Sequence, residues 1–152
     1  MKLFAISDLH LRYEKNRELL EEILPHKEDW LILGGDLGEG KKDLQYAFEK
    51  LQPKFSQLVW VPGNHELWTM ADDRSGLRGE YKYQELVSFC RSYGVLTPEA
   101  AYVKQSFGEK DYYVVPAFTH YDYSFRPDNV ELKDVIAWAQ EEDILHCPIC
   151  GK

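Results

Sequence analysis

The chain has 152 residues, of which 44% are hydrophobic and 14% aromatic, and its formal net charge is −8. This length supports one domain with a sizeable core, and the composition is typical of globular proteins. The acidic balance argues against a broad basic surface for nucleic acid or for an anionic membrane. No apolar run in the sequence approaches the roughly 20 residues that a membrane-spanning helix needs.

The N-terminus and the cysteines indicate where the protein resides. The opening "MKLFAISDLH" has one lysine and a short apolar run, without the longer apolar stretch and cleavage site of a signal peptide. We therefore expect a cytoplasmic protein. Its three cysteines, Cys90, Cys147 and Cys150, are an odd number without the spacing of a disulfide framework, so disulfides are not expected.

The first sixty residues alternate between compact apolar runs and stretches with helical spacing, which predicts a β-α-β-α-β order. The predicted strands are "KLFAIS", "DWLILGG" and "QLVWVPG", and the predicted helices between them are "NRELLEEIL" and "KKDLQYAFEKL". Continuous apolar strands separated by helices indicate a parallel sheet that is covered on both faces. The predicted fold class is therefore α/β, with a partly parallel sheet flanked by helices.

The pattern weakens after residue 68. A polar loop is predicted over residues 71–80 and a helix over 81–94, where Gly94 is the stop signal. The runs "AAYVKQ" and "DYYVVPAF" flank the turn signal "FGEK" and predict a hairpin, and an amphipathic helix is predicted over residues 131–145. With no repeat and no linker composition, residues 1–152 are predicted to form a single domain.

Each of the three predicted strands ends in polar residues. These ends are "SDLH" (residues 7–10), "GGDLGEG" (34–40) and "PGNHE" (62–66). In open α/β sheets the ligand crevice lies outside the carboxyl ends of the parallel strands, so the three segments are expected to meet.

The residue types at these ends are metal ligands. Asp8 and His10 are two apart, and in extended chain they would point the same way and grip one cation. Asp36 follows two glycines, which let the backbone approach a site closely, so its carboxylate can bridge two metals. Asn64 offers a carbonyl oxygen, whereas the adjacent His65 should point elsewhere and be free for chemistry. A donor set of Asp, His and Asn without thiolate favours Mn, Fe or Zn.

The ordered blocks "DLH", "GGDLGEG" and "GNHE" resemble the first three signature blocks of the calcineurin-like metallophosphoesterases, whose fold is an αββα sandwich. The resemblance covers about the first 70 residues with specific motifs and implies the first half of that sandwich. It implies a dinuclear centre in which Asp8 and His10 hold the first metal, Asp36 bridges and Asn64 holds the second. It further implies that His65 contacts the phosphate and assists the leaving group, with Glu66 orienting His65 in the place where many members have aspartate.

The later histidine blocks of that family are missing from the sequence. After His65 the chain has only His120 and His146, so the first metal lacks one histidine and the second lacks two. One interpretation is that the domain is incomplete at its C-terminus. The other is that local residues or a partner chain supply the missing ligands, and His120, at the end of a predicted strand, is a candidate.

The C-terminal "HCPICGK" raises a separate hypothesis about residues 144–152. Cys147 and Cys150 have the C-x-x-C spacing of half a zinc ribbon, and His146 offers a third donor. A structural zinc site needs four ligands, so this tail would have to bridge two chains to form one. A redox pair or an ordinary reduced tail are the alternatives.

The leading prediction is a metal-dependent phosphoesterase that hydrolyses phosphomonoesters or phosphodiesters with two divalent ions, the second site being incomplete. The rival is a non-catalytic metal-binding or interaction module that retains part of the site. The expected partner is a phosphate-ester substrate, with no membrane and no broad nucleic-acid surface. The fold alone does not select the substrate.

Overall fold

The computed structural model describes residues 1–69, 75–119, 124, 126–135 and 137–138. The chain divides into two compact units, residues 1–118 and residues 119–152. The first unit contains the strands and helices discussed below. In the second, a short 3-10 helix spans Leu132–Asp134, and most of the amphipathic helix predicted over residues 131–145 lies outside the described residues. The single domain expected over residues 1–152 stays a prediction.

A parallel three-stranded sheet forms the centre of the first unit, with strand order β1-β2-β3. Its strands are β1 (Leu3–Ile6), β2 (His26–Leu33) and β3 (Phe55–Trp60), and helices α1 (Glu14–Glu21) and α2 (Lys41–Leu51) connect them. The register places Leu3 beside Trp30 and Leu31 beside Leu58. This confirms the predicted β-α-β-α-β order. The order forms because each apolar run is long enough for a buried strand and each connection has a helical apolar face.

One face of this sheet packs against helices. Alternate strand residues point to this side, and they meet apolar side chains from α1, α2 and a third long helix, α4 (Gly79–Ser92). A four-residue helix, α3 (Asn64–Leu67), follows β3. The fully buried members include Leu20, Leu33, Phe48, Trp60 and Leu86. This core anchors the strand ends that carry the polar blocks.

The other face of the sheet packs against a hairpin rather than helices. Strands β4 (Val103–Phe107) and β5 (Lys110–Val114) pair antiparallel, as the turn signal between them predicts. Trp30, Val59 and Val114 form a second buried cluster, in which the Trp30 and Phe107 rings meet edge to face at 5.8 Å. The prediction that both faces are covered is correct, and the second cover is a small antiparallel sheet. In the described part of the chain, no helix combines the length and the hydrophobicity that crossing a bilayer requires.

Candidate metal centre

The first two polar segments are joined by a backbone ladder that continues past the strands. The amide N–H of Asp8 donates to the carbonyl of Gly35 at 3.0 Å, and that of His10 donates to the carbonyl of Asp36 at 3.0 Å. The next bond runs from Leu11 N–H to Leu37 O at 2.7 Å. Because parallel strands end at the same edge of a sheet, the segments predicted to converge do lie together.

The backbone is strained at three of the predicted metal ligands. Asp8, His10 and Asp36 have φ of 57°, 43° and 54°, and among the described residues they are the non-glycine residues with positive φ. Such conformations cost on the order of 1–3 kcal/mol each and cluster at functional sites. The idea that Asp8 and His10 share a direction because the chain is extended is therefore wrong. Left-handed turns, not strand pleating, set where these side chains point.

The strain at Asp8 is open to a direct test, because its side chain is exposed and few contacts change on substitution. We expect Asp8→Gly to be more stable than Asp8→Ala by about 1 kcal/mol, since glycine adopts φ 57° without a Cβ clash. Urea unfolding of the metal-free proteins measures the difference. At Gln84, inside α4, the same pair of substitutions should show the reverse order, with alanine the more stable. Equal stability of the two Asp8 variants would contradict the assignment of strain.

The third segment meets the second through glycine. A Cβ added at Gly35, whose φ is +88°, would lie 2.5 Å from the nitrogen of Gly63. A Cβ added at Gly63 would lie 2.6 Å from the nitrogen of Asp36 and would run into the Asp36 carboxylate. This close approach lets Oδ1 of Asp36 accept the backbone N–H of His65 at 3.0 Å. Asp36 is thereby fixed between the two loops.

Three side chains from three different segments converge on one point. One ligand atom from each of His10, Asp36 and His65 lies within 4.8 Å of the others, and the two imidazole rings are 4.7 Å apart, edge to face. Donor atoms that share one divalent ion at about 2.0–2.2 Å lie up to roughly 4.4 Å apart. The cluster therefore fits a divalent ion after small side-chain shifts, and its imidazole and carboxylate donors suit Mn, Fe or Zn.

The other predicted ligands border this cluster. Asp8 is exposed, and Asn64 is half-buried as the first residue of α3. The expectation that Asn64 and His65 point in opposite directions assumed an extended chain, and the helical turn Asn64–Leu67 removes that basis. His65 is buried at 3% exposure and reaches His10 and Asp36 instead. Its role and that of Asn64 stay predictions.

Glu66 is a fully buried carboxylate that binds backbone. Its Oε2 accepts the N–H groups of Asp36 at 3.0 Å and Gly63 at 2.9 Å, and its Oε1 accepts that of Leu37 at 2.7 Å. Burial raises the pKa of Glu66 to about 7, although these hydrogen bonds act in the opposite direction. The predicted orienting role toward His65 stays untested, and what the contacts establish is that Glu66 ties the second loop to the third.

Glu39 is a site residue that the sequence analysis missed. Its Oε1 accepts a hydrogen bond from Arg12 at 2.7 Å and lies 3.8 Å from Nδ1 of His65. The side chain of Glu39 is 14% exposed, so it sits at the rim of the centre. A signal was present, because "GGDLGEG" carries a second acid three residues after Asp36. The other predicted candidates, His120, His146, Cys147 and Cys150, lie outside the described residues.

Comparison with known proteins bears on this arrangement. The phosphodiesterase PptH of Mycobacterium tuberculosis, named as acting on acyl-carrier-protein, is 37% identical over 145 residues. The match covers 94% of this chain and 45% of PptH. An uncharacterized protein of Acanthamoeba polyphaga mimivirus is 32% identical over 74 residues, which cover 43% of this chain and 26% of the viral protein. The chain thus spans less than half the length of these curated relatives.

A solved structure and a family model agree with that result. The crystal structure of M. tuberculosis PptH, titled a phosphopantetheinyl hydrolase, superimposes with a TM-score of 0.85 at 36% identity. The superposition covers 94% of this chain and 51% of the PptH chain. A family model described as calcineurin-like phosphoesterase matches residues 1–147. The motif blocks, the converging strand ends and these matches together establish that the chain belongs to the calcineurin-like phosphoesterase family.

Proposed function

We propose that the protein is a metal-dependent phosphodiesterase whose centre lies at the carboxyl ends of β1, β2 and β3. The observation that carries the proposal is that three of the predicted ligands, Asp8, His10 and Asp36, have left-handed backbone conformations. Two of them, His10 and Asp36, also belong to the three-donor cluster. In this proposal Asp8, His10 and Asp36 hold one metal, and Asp36 and Asn64 hold the other. Backbone strain retained at three residues of two adjacent loops is expected where function requires it.

Around the metals, the protein's own residues have distinct roles in the proposal. His65, buried beside His10 and Asp36, contacts the phosphate and stabilises charge on the leaving oxygen. Glu39, with Oε1 3.8 Å from Nδ1 of His65, places a negative charge beside the imidazole, and Glu66 fixes the backbone of both loops. Metals held by these residues would supply Lewis acidity and an activated water for hydrolysis.

For the substrate, we propose a phosphodiester that links a carrier protein to a phosphopantetheine-like arm. PptH carries these names, and its similarity extends over 94% of the present chain. The family model matches residues 1–147, which include Asp8, His10, Asp36, Asn64 and His65. We keep the cytoplasm as the proposed location and Mn, Fe or Zn as the proposed metals.

The test is a metal titration that is followed by two readouts. We expect calorimetry to show two Mn²⁺ ions per chain, and the loaded protein to hydrolyse bis-p-nitrophenyl phosphate faster than p-nitrophenyl phosphate. Binding of one ion without turnover would instead support the rival, a non-catalytic metal-binding module. That rival is favoured by the shortage of histidines, since the three-donor cluster found in the described residues contains only His10 and His65. Activity that persists in excess chelator would overturn the metal dependence.

The possible completions of the site give further outcomes of the same titration. If His120 supplies a ligand, His120→Ala should lower the metal stoichiometry in a monomeric protein. If a partner chain supplies it, activity should rise with protein concentration as the dimer forms. A zinc-bridged dimer through His146, Cys147 and Cys150 predicts that Cys147→Ser loses both zinc and dimer, without loss of the ions bound at Asp36.

A further inference from the structure

A groove runs over the surface between α1 and α2, beside the candidate metal centre. Its volume is about 520 Å³, within the roughly 300–1,000 Å³ of small-molecule sites. The residues that line it are Arg12, Glu14, Arg17, Glu18, Glu21 and Tyr46. None of them belongs to the motif blocks, so the proposed chemistry leaves the groove without a role.

The groove begins next to His65. Arg12, at one end of the groove, donates to Oε1 of Glu39 at 2.7 Å, and the same oxygen lies 3.8 Å from Nδ1 of His65. One carboxylate therefore separates the groove from the imidazole that faces the proposed centre. The groove and the proposed centre are thus linked by the contacts Arg12–Glu39–His65.

One wall of the groove is formed by Arg17, Tyr46 and their charged partners. The guanidinium of Arg17 lies 5.0 Å from the centroid of the Tyr46 ring and pairs with Asp43 at 3.0 Å. The hydroxyl of Tyr46 donates to Glu21 at 2.7 Å, and Lys50 pairs with the same carboxylate at 2.6 Å. The Arg17 guanidinium lies close enough to the Tyr46 ring for a cation–π contact, and methylene groups can pack against these side chains.

The groove offers a ligand mainly hydrogen-bond acceptors. Arg12 and Arg17 are each paired with an acid outside the groove, Glu39 and Asp43. Glu14 and Glu18 are exposed, and neither has an ion pair with another described residue. They stand four apart on α1, so their side chains leave the same face of the helix, with Cβ atoms roughly 5–6 Å apart. Three carboxylates against two guanidinium groups also disfavour a further phosphate on the ligand.

We propose that this groove binds an uncharged, extended, amide-bearing chain that is esterified to the phosphate. The amide N–H groups of this chain donate hydrogen bonds to the carboxylates of Glu14 and Glu18. The inference deepens the proposed phosphodiesterase function, and it selects a pantetheine-like arm over a nucleotide. A folded carrier protein is far larger than the groove, whereas a single flexible chain with two amides matches its size and its acceptors. The groove residues are therefore specificity determinants and take no part in the chemistry.

The test uses pantetheine as the probe and does not require catalysis. Pantetheine is titrated into the ¹⁵N-labelled protein, once metal-free and once loaded with Zn²⁺, which is diamagnetic and replaces Mn²⁺. The NMR signals of backbone amides within residues 12–21 and around Tyr46 should shift. Glu18→Lys should weaken binding by about tenfold or more, because it replaces an acceptor with a cation. The matched control is Glu28→Lys, the same charge change at an exposed residue near the start of β2, and it should bind as the wild type does. Sucrose, neutral but without amides, should leave these amides unshifted.

The outcomes separate this proposal from the function on which it rests. Pantetheine shifts at the groove in a protein without phosphoesterase activity would uphold the groove and reject the enzyme. An active enzyme whose groove amides do not move with pantetheine, or whose Glu18→Lys variant binds equally well, would reject the groove alone. Shifts of equal size with sucrose would also overturn it, since the acceptors would then confer no selectivity.

Discussion

Asp36→Asn is expected to reduce phosphodiesterase activity by on the order of 100-fold or more, the loss that even outer partners of a metal produce. Asparagine keeps an oxygen that accepts the His65 N–H, as Oδ1 of Asp36 does at 3.0 Å, so the loop geometry should survive. What disappears is the negative charge that would hold a cation between the first and second loops. Steady-state hydrolysis of bis-p-nitrophenyl phosphate with added Mn²⁺, together with the number of ions bound, measures the effect.

The control for this charge removal is Asp111→Asn in the hairpin, where the carboxylate is exposed and pairs with Lys104 at 2.8 Å. Salt bridges of that kind contribute little, so activity and stability should stay close to wild type. Unchanged turnover in Asp36→Asn, with both ions still bound, would remove Asp36 from the proposed centre. Equal losses in both variants would point to a general charge effect instead.

Glu66→Ala is expected to lower the free energy of unfolding by about 3 kcal/mol or more. It leaves three backbone donors without their acceptor, that of Leu37 buried and those of Asp36 and Gly63 part-buried, and the loss at a buried donor costs about 1–3 kcal/mol. A cavity at a residue that is 0% exposed adds to the loss. Urea unfolding of the metal-free protein measures it. Glu109→Ala, at an exposed residue in the hairpin turn, is the control and should change stability by under about 0.5 kcal/mol.

The Glu66 carboxyl also gives a pH dependence with a definite sign. Burial raises the pKa of Glu66 to about 7 in the folded protein, from an ordinary value of 4.5. The stability that its proton uptake contributes is fully present below about pH 4.5 and is lost as the pH rises through about 7. Glu66→Gln does not titrate, so its stability relative to wild type should increase between about pH 5 and pH 8. A difference that is constant over this range would mean that Glu66 stays ionised in the fold.

The position of the candidate centre could be predicted because the residue types of metal ligands and the order of the strands can both be read from the sequence. Asp8, His10, Asp36 and Asn64 are predicted as ligands from their place after apolar runs, and the three loops that carry them do converge. The directions of the ligand side chains could not be predicted in the same way. Side-chain alternation holds only while the chain is extended, and the left-handed φ of Asp8, His10 and Asp36 breaks it. Nothing in the letters D-L-H announces that conformation, since non-glycine residues adopt it only when tertiary contacts enforce it.

The contacts of Glu66 and Glu39 also could not be predicted from the sequence. Both were visible as acids inside motif blocks, yet their partners are distant in sequence: Glu66 binds amides about thirty residues away, and Glu39 lies beside Arg12 and His65. The hairpin cover of the second sheet face was missed for a related reason. A turn signal predicts that two strands pair, but it does not say which surface their side chains will cover.

The ladder from Asp8, His10 and Leu11 to the second loop, together with the grip of Glu66 on the third, has a consequence for metal exchange. Because backbone hydrogen bonds and one buried acid assemble the three loops, the protein need not refold around each incoming ion. The loss of conformational entropy that brings the metal ligands together occurs when the chain folds. It therefore does not reduce the affinity of the folded centre for a metal ion. If the proposed centre binds its ions, we therefore expect the protein to lose and regain them while it stays folded.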